Sequence, residues 1–230
     1  MAKRELKFWL AEPERRLLIA MAGRLPRAIT SDHLTTLGVV GSLGAGVAYA
    51  LSARNPIWLL VASAMIAVNW FGDSLDGTLA RVRKVERPRY GYYLDHIVDA
   101  FSTAAIGIGI GLSPYADLAV ALILVVAYLA LSINVYLESA VFGVFELAYG
   151  RIGPTEARLI LVVGNVALAA ATVAGLAPES IGWVTNGIAG ALSLGMAGVL
   201  GGRFARNLKR LAAAEPPASR APQPEAVSAA

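Results

Sequence analysis

Asp73-Ser74-Leu75-Asp76-Gly77-Thr78-Leu79-Ala80-Arg81 and, after nine further residues, Gly91-Tyr92-Tyr93-Leu94-Asp95-His96-Ile97-Val98-Asp99 place four aspartates in a mostly apolar chain. Asp73 and Asp76 are three residues apart, and Asp95 and Asp99 are four apart. Either spacing puts both carboxylates on one face of a helix, with Cβ atoms about 5–6 Å apart. The stretch therefore predicts two helices that each present a pair of carboxylates.

The composition around this stretch is that of a membrane protein. Of the 230 residues 57% are hydrophobic and 16% are charged, whereas soluble domains carry roughly a quarter charged residues. The absence of cysteine excludes a disulfide framework, thiolate ligands and a cysteine nucleophile. With only two histidines, a metal site would depend on oxygen ligands, which suit Mg²⁺ or Mn²⁺.

The hydropathy pattern predicts an all-α polytopic bundle of six transmembrane helices. Ser31 or Asp32 is expected to cap the first of them. Glycines recur in the first and third spans, where small residues allow helices to pack closely in lipid. The six spans cover about 34–52, 57–81, 91–112, 118–142, 155–174 and 181–200.

The two ends of the chain differ from this central part. Residues 3–25 form a basic amphipathic pattern interrupted at Pro13, which is typical of a helix lying on an anionic membrane surface. We therefore divide the chain into an interfacial segment (1–27), a transmembrane catalytic domain (28–211) and a disordered tail (212–230) rich in Ala, Pro, Ser and Glu.

The positive charges lie almost entirely on one side of the predicted bundle. With six spans, 19 of the 20 Lys and Arg residues share that side and only Arg54 lies on the other. The positive-inside rule then puts both termini and the four aspartates on the cytoplasmic side of an inner or plasma membrane. This distribution explains the net charge of +4 without a nucleic-acid partner.

Four acids at a membrane boundary need neutralising charge, because ionisable groups within a bilayer are costly and like charges repel. Divalent cations would supply it. Gly77, Ala80 and Gly91 share the carboxylate faces and leave room for a ligand, and Arg81 offers positive charge to a phosphate. Salt bridges to Arg81, Arg83 and Lys84 are the structural alternative, but they give no reason for the glycines.

The whole stretch resembles the signature of the CDP-alcohol phosphotransferase family, and the six-span layout is similar as well. The eight matching positions are Asp73, Asp76, Gly77, Ala80, Arg81, Gly91, Asp95 and Asp99. The resemblance implies a membrane transferase of phospholipid synthesis that uses two Mg²⁺ or Mn²⁺ ions. It would pass a phosphoryl-linked group from a CDP-activated donor, for which we favour CDP-diacylglycerol, to an alcohol and release CMP. A CDP-amino alcohol acting on diacylglycerol is the alternative.

The resemblance also implies roles for individual residues. Asp73, Asp76 and Asp95 match metal ligands, and Asp99 matches the general base, which also touches a metal. The upstream segment 31–35 resembles a nucleotide-contacting segment, although Ser31 stands where a proline is common. The nucleotide-binding candidates are Asp32, Thr35, Asp73, Gly77, Ala80, Arg81 and Gly91. The family resemblance further suggests a homodimer.

Candidates for the acceptor pocket come from the fourth and fifth spans. Asn134 and Glu138 share a helix face and either line the pocket or bond to a neighbouring helix. Arg151 and Arg158, near the start of the fifth span, could bind an anionic head group. The acceptor itself stays open among glycerol phosphate, inositol phosphate, serine and an amino-alcohol route.

Other protein classes also cluster acids in membranes. A divalent-cation transporter would place them near mid-bilayer with a path to both sides, whereas these four lie at one end of their spans. A prenyltransferase would carry a second aspartate-rich copy, which the sequence lacks. An inactive scaffold is disfavoured because all eight positions of the signature are intact.

Overall fold

The computed structural model describes residues 10–143 and 153–215, and these residues fold entirely into helices and short connections. Seven helices occur in the described part of the chain, and they confirm the predicted all-α class. They are α1 (Ala11–Arg24), α2 (Ser31–Leu51), α3 (Trp58–Arg83), α4 (Pro88–Gly111), α5 (Leu118–Phe142), α6 (Pro154–Val173) and α7 (Pro178–Ala214).

Five of these helices, α2, α3, α5, α6 and α7, are long and apolar enough to cross a membrane. The protein is therefore a membrane protein. Helix α4 is not in this set, and its first half carries Asp95 and Asp99; the count of six spans stays a prediction. Helix α7 has 37 residues, about 55 Å, so it is longer than a bilayer core of about 30 Å. It also runs three residues past the predicted domain end at 211.

Helix α1 lies against α3, as a surface helix with one buried face. Pro13 does not interrupt it, because Pro13 falls in the first turn, where the missing N–H has no intrahelical partner to lose. Leu18 and Ala22 are buried in a cluster with α2 and α3 residues, whereas Leu17 and Ile19 are largely exposed. Residues 1–9 lie outside the described part, and the placement of this helix on a membrane surface stays a prediction.

The N-cap of α2 is Thr30, so the prediction of Ser31 or Asp32 was wrong by one or two residues. The Thr30 hydroxyl accepts a hydrogen bond from the His33 backbone N–H at 3.3 Å, and His33 Nδ1 accepts one from the Thr30 N–H at 3.3 Å. The Ser31 hydroxyl instead donates a hydrogen bond to the backbone oxygen of Asp76 at 2.8 Å. Thr30 has the extended backbone of an N-cap, and the helix begins at Ser31.

Helix α2 packs against both α3 and α4, at distances that only glycine allows. A Cβ on Gly41 would lie 2.5 Å from the backbone N of Asn69, and one on Gly46 would lie 2.6 Å from the carbonyl oxygen of Ala105. The predicted close packing is confirmed for these positions. Further along the bundle, α6 packs on α3, and α5 packs on α4 and α7.

The connection between α1 and α2 is held by the end of α3. Arg83 donates from its guanidinium to the backbone oxygens of Ile29, Leu25 and Pro26, the last two at 3.1 and 2.9 Å. Lys84 ends α3 in a left-handed conformation with φ of 57°. Arg83 therefore serves the linker that leads into segment 31–35, instead of a salt bridge to the aspartates.

Candidate active site

The four aspartates of the signature come from α3 and α4 and face a common site. Asp99 lies within electrostatic range of Asp73 and Asp95, and Asp76 lies within electrostatic range of the same two residues. Because α2 packs on both helices, it sets the spacing between the two carboxylate pairs. The structure therefore places the four residues that the sequence singled out within electrostatic range of one another; their role as a metal site stays a prediction.

Segment 31–35 is attached directly to Asp76. The Thr35 hydroxyl donates to Asp76 Oδ2 at 2.5 Å, and the Gly77 N–H donates to Asp76 Oδ1. Ser31 adds its bond to the Asp76 backbone oxygen. These contacts fix one carboxylate of α3 from the start of α2, so a candidate nucleotide-contacting segment borders the signature.

Asp32, the other candidate in this segment, forms an ion pair with Arg87 at the start of α4. Both side chains are about half exposed, at 47% and 53%. The hydrogen bond to Asp32 raises the pKa of Arg87 and keeps its guanidinium charged. The pair lies at the exposed rim of the site and links segment 31–35 with the loop that precedes Gly91.

Arg158 reaches the site from the first turns of α6. Its Nη2 lies 2.6 Å from Asp73 Oδ2, and its Nε donates to Asn69 Oδ1 at 3.0 Å. Asn69 is 2% exposed, and its amide donates to the Gly38 backbone oxygen at 3.0 Å. The sequence analysis missed Asn69, although a polar side chain within an apolar span is a signal of function or helix contact.

The glycines of the signature adjoin open space. A Cβ on Gly91 would meet nothing within 4 Å, and one on Gly77 would meet only the end of the Arg81 side chain, at 3.3 Å from Nη1. Arg81 in turn donates to the Thr78 hydroxyl at 3.0 Å. Neither glycine is required for helix packing, which agrees with the prediction that they leave room for a ligand.

The donor set suits a hard divalent cation, because the carboxylates of α3 and α4 supply oxygen ligands. Within residues 10–143 and 153–215, no three or more such side chains form a ready-made metal cluster. Asp73 is engaged by Arg158 and Asp76 by Thr35, whereas the Asp95 side chain is 51% exposed. Binding of a cation would therefore require Asp73 to share or exchange its partner.

Helix α5 contributes aromatic side chains that the sequence analysis did not single out. Tyr128 and Tyr136 lie within electrostatic range of Asp99. The His96 ring packs between Tyr92 and Tyr136, with ring centroids 4.1 and 4.2 Å away. Tyr128 also lies within electrostatic range of Arg158, and tyrosine phenol groups are suited to hydrogen-bond a hydroxylated ligand.

The sequence left two roles open for Asn134 and Glu138, lining the acceptor pocket or bonding to a neighbouring helix. Their contacts are those of the second role. Glu138 accepts hydrogen bonds from Asn134 at 2.8 Å, from Asn207 at 2.6 Å and from Arg203 Nε at 2.9 Å. Arg203 and Asn207 belong to α7, so this network joins α5 to α7. Arg151, the remaining acceptor candidate, lies outside the residues that the structure describes.

Comparison with known proteins agrees with the geometry. The family model of the CDP-alcohol phosphatidyltransferases matches residues 28–210, which include every helix from α2 to most of α7. The chain is also similar to an archaetidylinositol phosphate synthase of Methanothermobacter thermautotrophicus, with 29% identity over 153 residues that cover 66% of this chain and 73% of that protein.

Proposed function

Because the chain belongs to the CDP-alcohol phosphatidyltransferase family, we propose that it transfers a phosphoryl-linked group from CDP-diacylglycerol to an alcohol and releases CMP. The observation that carries this proposal is the convergence of Asp73, Asp76, Asp95 and Asp99 beside two open glycines. Packing does not require such an arrangement, whereas a phosphate ligand with its counter-ions does.

The reaction forms a bond between the acceptor oxygen and the donor phosphorus and breaks the pyrophosphate bond to CMP. Asp99 takes the proton of the acceptor hydroxyl. Asp73, Asp76, Asp95 and Asp99 would hold two Mg²⁺ or Mn²⁺ ions, whose chemistry is to neutralise charge on the pyrophosphate and on the departing CMP. Thr35 and the Gly77 N–H orient the Asp76 carboxylate, and the space beside Gly77 and Gly91 receives the nucleotide.

The acceptor is proposed to be a phosphorylated alcohol. Arg158 contacts Asp73 directly, and guanidinium groups bind phosphate well. It belongs to α6, whereas the nucleotide candidates Gly77 and Arg81 belong to α3. The name of the archaeal relative points to an inositol phosphate, so this acceptor is the first to test. Glycerol phosphate, serine and other alcohols follow in the same panel.

The test uses the purified protein in lipid nanodiscs with CDP-diacylglycerol, Mg²⁺ and each alcohol, and it follows CMP release. We expect release with one acceptor, loss of release with a chelator, and recovery with added Mg²⁺ or Mn²⁺. Asp99→Asn should lower the rate by about 100-fold or more, because general-base catalysis contributes about 10²–10⁴-fold.

The matched control is Asp117→Asn, another aspartate-to-asparagine change. Asp117 caps α5 through hydrogen bonds to the N–H groups of Ala119 and Val120, and asparagine caps a helix equally well. This variant should keep the wild-type rate. Absence of CMP with every alcohol, or an unchanged rate in Asp99→Asn, would contradict the proposal.

Two parallel assays distinguish the alternatives. CDP-choline or CDP-ethanolamine with diacylglycerol tests the amino-alcohol route, and CMP release only in that assay would reassign the donor. Uptake of Mn²⁺ into proteoliposomes tests a divalent-cation transporter. Uptake that Asp76→Asn abolishes, together with no CMP release in any assay, would replace the transferase by that function.

The cytoplasmic placement of the termini and of the four aspartates is part of the proposal. The chain has no cysteine, so single cysteines introduced at Arg54 and Glu86 would report their sides by reaction with an impermeant maleimide in intact cells. We expect Arg54→Cys to be labelled from outside and Glu86→Cys to be labelled only after the membrane is opened. The reverse pattern would invert the topology.

A further inference from the structure

We propose that Glu14 of α1 is a positioning residue, which holds α6 against α3 so that Arg158 stays at the site during turnover. The inference rests on the proposed function, because it assigns Arg158 to the acceptor. It concerns a carboxylate outside the signature, on a surface helix that precedes the domain matched by the family.

The Glu14 carboxylate bridges two helices through a single oxygen. Its Oε1 accepts a hydrogen bond from Trp70 Nε1 of α3 at 2.7 Å and another from the Thr155 hydroxyl of α6 at 2.6 Å. Trp70 precedes Asp73 by three residues, and Thr155 precedes Arg158 by three residues. The bridge thus joins α3 and α6 one helical turn before each partner of the Asp73–Arg158 ion pair.

Two of the links between α3 and α6, the Asp73–Arg158 ion pair and the Glu14 bridge, depend differently on the ligand; the Asn165–Ser63 hydrogen bond joins the same helices further from the site. Asp73 is a predicted ligand of the site, so its ion pair with Arg158 is shared or exchanged whenever the site binds its substrates. The Glu14 bridge involves neither Asp73 nor Arg158. It can therefore keep α6 in place while the direct link is exchanged, and Asn69 alone then orients the Arg158 guanidinium.

Attachment of α1 itself does not depend on this carboxylate. Leu18 and Ala22 are buried against α2 and α3, and the Leu10 N–H donates to Glu156 Oε1 at 2.8 Å. These contacts hold α1 in place when Glu14 is replaced. Because Glu156 belongs to α6, the Leu10 bond also keeps α6 near α1 in the variant. A substitution of Glu14 should therefore loosen the spacing between α3 and α6 at Thr155 without releasing α6 or unfolding the chain.

The kinetic test compares Glu14→Ala and Glu14→Gln with the wild type. We expect Glu14→Ala to raise KM for the acceptor about tenfold, since it removes both hydrogen bonds through which Trp70 and Thr155 share one carboxylate oxygen. KM for the CDP-linked donor should change less than about twofold. Glu14→Gln keeps an accepting oxygen and should recover most of the acceptor affinity.

The matched control is Glu12→Ala on the same helix. Within the described part of the chain, Glu12 forms ion pairs with Arg15 and Arg16, whose side chains are exposed. Its replacement should leave both KM values and the melting temperature unchanged. An equal rise of both KM values in Glu14→Ala, accompanied by a lower melting temperature, would mean that Glu14 is merely structural and would overturn the proposal.

Dependence on Arg158 is tested by a double-mutant cycle. If Glu14 acts through Arg158, Glu14→Ala should change the acceptor KM less than about twofold in an Arg158→Ala background. An undiminished tenfold rise in that background would show that Glu14 acts independently, and would overturn the proposal.

A distance measurement separates this inference from the proposed function. Spin labels on Val82→Cys of α3 and Leu159→Cys of α6, both exposed positions, report the separation of the two helices in the otherwise cysteine-free chain. Glu14→Ala should broaden the distance distribution, whereas Glu14→Gln should not. A broadened distribution without CMP release from any alcohol would refute the proposed function and retain the bridge; an unchanged distribution would refute the bridge.

Discussion

Two groups of glycines in the same three helices have opposite surroundings. Where α2 crosses α3 and α4, a Cβ on Gly41 would lie 2.5 Å from a backbone nitrogen, and one on Gly46 would lie 2.6 Å from a backbone oxygen. In the signature, a Cβ on Gly91 would meet nothing within 4 Å, and one on Gly77 would meet only a flexible guanidinium. The first group is packed and the second is open.

The difference teaches that the missing side chain serves two purposes here. In the packed region it lets backbones touch, which is how helices associate tightly where lipid offers no hydrophobic driving force. In the open region it leaves space next to four carboxylates. The packed crossing of α2 holds the pairs at a fixed spacing, and the open end receives what they bind.

The packed region predicts the largest effect. Gly41→Val should destabilise the protein by about 3 kcal/mol or more, since the added atoms meet the backbone of Asn69, which has no rotamer to move aside. We expect little monodisperse protein after detergent extraction and a strongly lowered melting temperature. Gly187→Val is the matched control, because a Cβ there meets nothing within 4 Å, and it should extract normally. Normal extraction of both would break the comparison.

The open region predicts a loss of activity without a loss of fold. Gly91→Val should extract and melt like the wild type, yet it should lower the rate of CMP release by about 100-fold, because a displaced substrate loses its reactive geometry. Gly77→Ala should be milder, since the Arg81 side chain can move. Full activity of Gly91→Val would show that the space beside Gly91 holds no ligand. The proposed difference in purpose between packed and open glycines would then be wrong.

Thr35 of α2 connects the two regions, because its hydroxyl donates a hydrogen bond to the Asp76 carboxylate. Thr35→Val keeps the shape and removes the hydrogen bond, so KM for the CDP-linked donor should rise about fivefold, as expected for a loss of about 1 kcal/mol. Thr36→Val is the control, because the Thr36 hydroxyl is exposed and bonds only to the Asp32 backbone oxygen of its own helix, at 2.8 Å. Equal effects of both variants would remove Thr35 from the site.

Local pattern was enough to predict most helix positions and the carboxylate pairs. The predicted fourth span coincides with α5, and the signature spacings put each pair on one face because a helix has a fixed period. The open setting of Gly77 and Gly91 also followed from their faces. These features depend on residues within one or two turns of each other.

Contacts between segments that are far apart in the sequence could not be predicted from local sequence patterns. Ser31 bonds to Asp76, 45 residues away, and Glu14 bonds to Thr155, 141 residues away. Asn69 contacts the site through Arg158 of α6, which donates a hydrogen bond to it. Glu138 likewise acquired its partners from α7, since the sequence could place Asn134 on its face but could not say which helix lay opposite.

The smallest effect on activity is expected for the ion pair at the exposed rim of the open region. Arg87 and Asp32 pair there with about half of each side chain exposed, whereas Arg158 and Asp73 pair deeper with 16% and 17% exposed. Exposed pairs contribute little because water and salt screen them, so Arg87→Gln should change donor KM by no more than about threefold. High salt should remove that change, because it screens exposed charges. A larger change in donor KM that persists at high salt would mean that the Arg87–Asp32 pair contributes directly to donor binding. The open region would then be limited to the space beside Gly77 and Gly91.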